Sequence, residues 1–223
     1  MHKIITISRE FGSGGRELGK RLAEELGIPC YDHQIIEMIA KENGFDERYV
    51  ANVSEKSIEA AYPMTIGHRF AMPSMEIMEQ PIRVAAAQRQ IIENFAKQGD
   101  CVIIGRCADV ILKDYHPLNL FIYADMEAKV ERCIRRAPEG EHLTRNEIER
   151  MIKQVDKNRA QYRQMYSDTK WGAKESYHLC VNTTERYMKE IVPGLPKQKL
   201  WTVRQAAHSF FSGRVPFSGG DFC

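Results

Sequence analysis

The sequence predicts an α/β fold: three layers, with a parallel sheet of about five strands and helices on both faces. Three observations carry this. Apolar, β-branched runs alternate with amphipathic helical segments along most of the chain. The first run leads into a glycine-rich turn, FGSGG at 11–15, and then into a helical pattern. The chain has 223 residues and 43% hydrophobic content, which suits one large domain with a substantial core.

KIITIS (3–8) is the first strand, apolar and β-branched. RELGKRLAEELG (16–27) is a helix with Leu18, Leu22 and Leu26 at helical spacing and Gly27 as its stop. IPCYD (28–32) reads as a second strand ending in a carboxylate, and 33–44 as a second helix. Residues 45–80 lack clear periodicity and contain Pro63, Pro73 and several methionines, so an irregular or partly helical insert is expected there. A helix follows over 81–99, with Pro81 near its start and Gly99 at its stop. DCVIIG (100–105) is the third strand, 106–114 a short helix and LNLFIYA (118–124) the fourth strand. Residues 125–137 form a helix that Asp125 can cap. After a loop at 138–143, Thr144 and Glu147 make a capping box for a helix reaching about residue 166. SYHLCVN (176–182) is the fifth strand, with short helices expected at 184–191 and 200–213 and a loosely ordered end.

Charge and composition exclude several classes. Lysine and arginine total 32 against 30 acidic residues, unlike a general nucleic-acid binder. No apolar run approaches the length of a membrane span, and the N-terminal apolar stretch is too short for a secretory signal. The six cysteines include no CxxC pair, which argues against zinc and for a reduced, cytoplasmic protein. The histidines form no ligand pattern.

The chemistry sits in three places. In the glycine turn, Gly12, Gly14 and Gly15 let backbone N–H groups face phosphate oxygens at a helix N-terminus. Arg16 stands where such loops carry lysine, and Glu17 where they carry the hydroxyl that holds Mg²⁺. Glu17 either takes over the metal or is a first-turn acid facing away. Second, Arg132, Arg135 and Arg136 end one helix, and Asp156, Arg159 and Arg163 share one face of the next. Arginines flanking the 138–143 loop on both sides suit a lid over a triphosphate. Third, VIIGRCADVIL (102–112) places Arg106 and Asp109 at the carboxyl edge of the sheet, where Asp32 also ends a strand.

Together these stretches resemble the cytidylate-kinase-like family of P-loop nucleoside monophosphate kinases. The resembling residues are ITISREFGSGGRELGKRLAEELG, IPCYDHQII, VIIGRCADVIL, LFIYADMEAKVERCIRR and DKNRAQYRQMYSDTKWGAKESYHLCVNTT, in family order. The resemblance implies a P-loop NTPase fold over 1–192, a helical NMP-binding insert (45–98), a lid (137–144) and an extension (193–223). It implies ATP and Mg²⁺ as cofactors and transfer of the γ-phosphate to a nucleoside monophosphate, widened by the residues to a CMP-like nucleotide or related small acceptor; charge and composition leave neither nucleic acid nor membrane as partner, and a homo-oligomer is compatible with them. By position, Ser13 to Arg16 hold the ATP phosphates, with Gly12 and Glu17 beside them. Arg106 holds the acceptor phosphate; the residue pattern itself adds Asp32, Asp109 and either Arg83 or Arg89 as its companions. Arg132, Arg136, Arg159, Arg163 and Asp156 match the lid-side residues, and Glu17 and Asp32 are the metal candidates. The chain departs from cytidylate kinases proper at Ile104 and Cys107, where acidic residues flank Gly-Arg, and at Met38, where an arginine stands. A site lacking those partners reads cytosine poorly. A binding module without turnover and a kinase for a non-nucleotide small molecule are the rival readings.

Overall fold

The computed structural model describes residues 2–53, 75–138 and 143–195, with backbone alone for 52–53, 75–79 and 194. Much of the expected insert, the middle of the expected lid and the helix expected over 200–213 lie outside the described residues. β1 (Ile4–Arg9), β2 (Cys30–Tyr31), β3 (Cys101–Ile104), β4 (Leu118–Tyr123) and β5 (Leu179–Asn182) form one sheet in the order β2-β3-β1-β4-β5. Every pairing is parallel, with Ile5 of β1 opposite Val102 on one side and Leu118 on the other. The α/β fold, parallel sheet and strand number agree with the sequence reading.

β1 is buried because both its faces are covered, which parallel strands require. Its side chains alternate. Ile5 and Ile7 join Leu18 and Leu22 of α1 (Gly15–Leu26) in one cluster, and Ile4 joins the other. Each of those leucines is at most 1% exposed, worth about 1.5–3 kcal/mol of burial apiece. α8 (Met188–Gly194) covers the same face through Met188 and Val192. The opposite face carries α2 (Gln34–Asn43), α3 (Glu47–Val53), α4 (Met75–Gln98) and the single turn α5 (Ala108–Ile111). α6 (Met126–Arg136) and α7 (Arg145–Gln164) pack on each other through a small cluster of their own, Val130, Ile148 and Ile152.

Several expected boundaries move. β2 shrinks to Cys30–Tyr31, and α4 starts at Met75, so Pro81 sits inside the helix rather than at its start. Proline removes one backbone bond there but spares the turns after it. The helix expected over 106–114 is only α5 followed by a 3₁₀ turn, because Gly105, Arg106 and Cys107 are all left-handed. Asp125 occupies the N-cap of α6 without a side-chain capping bond; its backbone N–H donates to Thr184 Oγ1 instead. The Thr144–Glu147 capping box is formed.

Candidate functional site

The turn after β1 is a backbone cradle. Gly12 and Gly14 have φ of 74° and 81°, which L side chains adopt only at a cost. Ser13 is fully buried and serves the loop itself, donating its hydroxyl to the Glu10 carbonyl at 2.8 Å. Its own carbonyl accepts from Thr183 Oγ1 at 2.7 Å. Arg132 Nη1 donates to the Gly12 carbonyl at 3.4 Å. The carbonyls are thus tied from behind. Among the described residues, the backbone N–H groups of Gly12, Gly14, Arg16 and Glu17 donate to no protein acceptor. Unused donors at a helix N-terminus form an anion site.

A cleft of about 850 Å³ opens in front of these donors, lined by Gly12, Gly14, Arg16, Arg132, Arg136 and Arg159 together with apolar lid residues. Arg16 Nε lies 2.5 Å from Asp32 Oδ2, so the carboxylate ending β2 holds the loop's cation. Glu17 accepts from Arg21 Nε at 2.9 Å and from Arg136 Nη2. Its carboxylate links α1 to the end of α6. A second cleft of about 660 Å³ lies beyond Arg132, lined by Glu17, Arg136, Thr184, Tyr187 and Met188 among others. Among the described residues, no group of three or more His, Cys, Asp or Glu is placed to hold a metal.

The loop is anchored by Asp156 and by Lys129, which the sequence reading passed over. Lys129 of α6 is 5% exposed and reaches Glu10 Oε2 at 3.0 Å and Asp156 Oδ2 at 3.3 Å. Asp156 Oδ1 accepts from the Phe11 N–H at 2.7 Å. A Cβ on Gly12 would lie 3.0 Å from the Lys129 backbone carbonyl, so α6 touches the loop directly. Burial raises the Asp156 carboxyl above its ordinary value of 3.8, against the lowering effects of the Phe11 N–H, Lys129 and Arg159. A lysine on an amphipathic helix gives no sequence signal of such an inward placement.

The turn after β3 forms the third feature. Gly105, Arg106 and Cys107 have φ of 76°, 57° and 51°, two of them non-glycine. They border a cavity of about 30 Å³ with Ser8, Asp109, Arg159 and Arg163. Arg163 is 3% exposed and donates to Asp109 Oδ2 and, at 3.0 Å, to Thr169 Oγ1. Among the described residues, Asp109 Oδ1 is buried without a partner. Behind the turn, the buried Gln88 amide donates to the Arg106 carbonyl at 3.2 Å and to Tyr162 Oη at 2.9 Å. Burial pushes the Cys107 thiol up to about 12.

The structure therefore brings Gly12, Gly14, Gly15, Arg16, Arg132, Arg136 and Arg159 together at one cleft, with Asp32 paired to Arg16; Glu17 lines the second cleft, and Ser13 and Asp156 anchor the loop. Arg106, Asp109 and Arg163 gather at the adjacent cavity. Arg83 and Arg89 are placed elsewhere: Arg83 lies over the Phe45 ring and Arg89 lies near Glu93, and neither lines these cavities.

The profile of the cytidylate kinase-like family matches residues 4–185. A crystal structure of an uncharacterized protein from Eubacterium ventriosum ATCC 27560 is 26% identical, with a TM-score of 0.61 over 86% of this chain and 95% of that one. Shikimate kinase from Bacteroides thetaiotaomicron is 13% identical, with a TM-score of 0.47 over 95% and 99% of the two chains. A gluconokinase from Sinorhizobium meliloti 1021 is 14% identical, with a TM-score of 0.45 over 96% and 98%. No curated protein matches. No described helix is long and apolar enough to cross a membrane.

Proposed function

The chain belongs to the cytidylate kinase-like family, and we propose that it is a cytoplasmic, ATP-dependent phosphotransferase acting on a nucleotide (CMP-like) or related small acceptor. The observation that carries this reading is the set of N–H donors at Gly12, Gly14, Arg16 and Glu17, unused among the described residues, the first three of them at a cleft rimmed by Arg132, Arg136 and Arg159. That cleft suits a polyphosphate, because fixed backbone dipoles and arginines stabilise its charge without reorganising. ATP bound there supplies the phosphoryl group. The loop N–H groups orient its phosphates. Arg132 and Arg136 draw α6 towards them, and Arg106 and Arg159 hold the acceptor's anionic group at the neighbouring cavity. Glu17 and Asp32 are the proposed Mg²⁺ holders. Each is paired with an arginine here, and Mg²⁺ held there would offset phosphate charge.

Two observations favour rivals. Glu17 is held between Arg21 and Arg136, which suits a nucleotide-binding module that does not turn over. Ile104 is fully buried where cytosine-reading kinases carry an acid, which suits a non-nucleotide acceptor. One assay separates all three: ATP consumption with a panel of nucleoside monophosphates and small alcohols. The expected result is an acceptor-dependent rate well above background with a monophosphate. Turnover with an alcohol alone moves the acceptor class, and tight ATP binding with no turnover on any acceptor overturns the enzyme reading.

A further inference from the structure

Arg9, the last residue of β1, plays no part in the sequence reading. Its side chain runs through a groove that two glycines leave open. A Cβ on Gly15 would lie 2.5 Å from the Arg9 Cβ and 3.1 Å from its Cγ, and a Cβ on Gly105 would collide with Arg9 Nη1. The stem therefore lies along the first residue of α1, and the guanidinium lies on the turn after β3. The side chain spans from the phosphate cradle to the strained turn at Arg106. Among the described residues, Arg9 and Arg159 are the pair that line both the large cleft and the small cavity. Arg159 Nη1 donates to the Arg9 carbonyl at 3.0 Å, which sets these two residues side by side.

Charge points the same way. The small cavity is lined by four arginines, Arg9, Arg106, Arg159 and Arg163, and by one carboxylate, Asp109, which is paired with Arg163; Asp156, outside the lining, lies 3.9 Å from Arg159. An anion is the ligand such a lining favours. Arg16, the cation the glycine loop itself offers, is turned to Asp32 and lies outside this cavity.

We propose that Arg9 is a catalytic residue that holds the phosphoryl group in transit, the task a P-loop lysine otherwise has. This rests on the phosphotransferase reading above. In the step, the bond from phosphorus to the donor's bridging oxygen breaks. A bond from phosphorus to an acceptor oxygen forms, and the donor leaves as ADP with the electron pair. With a phosphate acceptor the attacking oxygen is already anionic, so no proton has to move. Charge spreads over the three equatorial oxygens of the group between the two cavities, where a planar guanidinium can donate to two of them at once.

The test uses Arg9→Met, which keeps the stem in its groove, and Arg9→Lys, which returns a cation. Titrations with ADP and Mg²⁺ are run with and without tetrafluoroaluminate, a mimic of the transferring group, beside steady-state kinetics. The expected result for Arg9→Met is ADP affinity within about twofold of wild type, a tetrafluoroaluminate complex weakened by at least about 100-fold, and kcat lowered by about 10³ with KM little changed. Arg9→Lys should recover part of both losses. An Arg9→Met variant that keeps the wild-type tetrafluoroaluminate complex overturns the assignment. So does one that loses ADP and the complex equally, since Arg9 then only supports the loop. If wild type turns over no acceptor yet forms an Arg9-dependent complex, the proposed function falls and takes the catalytic role with it, leaving Arg9 as a ligand of the bound phosphate mimic.

Discussion

The turn after β1 and the turn after β3 both leave a parallel strand at its carboxyl end, and both bend through left-handed backbone, but they do so with different residues. The β1 turn uses glycine at its left-handed positions and satisfies its side chains internally: Ser13 bonds within the loop, and Arg16 and Glu17 are each paired. What it leaves unused is backbone N–H. The β3 turn places Arg106 and Cys107 in left-handed backbone, a cost of roughly 1–2 kcal/mol each. What it leaves unused is a buried side-chain oxygen, Asp109 Oδ1. A cradle of backbone dipoles suits the group common to every donor nucleotide, the phosphates. A strained turn carrying charged side chains suits the partner that must be told apart, since side chains can be exchanged without disturbing the strand.

Three experiments break or sharpen this contrast. The largest effect belongs to the β3 turn. Arg163→Met strands the Asp109 carboxylate, which is 3% exposed at its side chain, without its cation. A loss of about 3–5 kcal/mol in urea unfolding is expected. A loss below about 1 kcal/mol means that the pair does not hold the turn. Next is the β1 cradle. Gly14→Ala forces a side chain onto φ 81° and brings a Cβ to 3.0 Å from Met188 Cε. The expected cost is about 1–2 kcal/mol in stability, together with at least about tenfold weaker ADP binding by titration. Unchanged ADP affinity would mean that the cradle is not where the phosphates bind. The smallest effect concerns pH. Because the folded Asp156 carboxyl is raised above its ordinary value, the folded chain holds a proton that the unfolded chain has released over the window from 3.8 upward to its folded value. Stability from this group is therefore higher below the window and declines as pH rises through it. Asp156→Asn removes that slope. Comparing the two stability–pH curves from acid to neutral pH tests it, and parallel curves would remove Asp156 as the titrating anchor of the loop.

Much of the site was legible before the fold was known. Gly12, Gly14 and Arg106 were read from glycine spacing after an apolar run, and the arginines of α6 and α7 from their clustering on helical faces. Arg9 and Lys129 were not. Arg9 looks like the polar end of a strand, and Lys129 looks like one more charge on an exposed helix; each becomes distinctive through partners far away in the chain. Lys129 meets Glu10 from 119 residues away, and Arg159 meets the Arg9 carbonyl from 150. Asp109 and Arg163 were both read as site residues, yet their union as a buried pair across 54 residues carries no local signal.

By itself, the sequence determined the parallel sheet, the order of its elements, the glycine-rich backbone cradle and the arginine supply, because periodicity, glycine backbone freedom and helix-face clustering are properties of neighbouring residues. Only the tertiary structure decided which carboxylate holds which cation, that Arg16 turns to Asp32 while Arg9 lies between the two cavities, and that the β3 turn is strained. Those depend on which side chains the packed sheet brings within a few ångströms, where burial makes an unpaired charge too costly to tolerate.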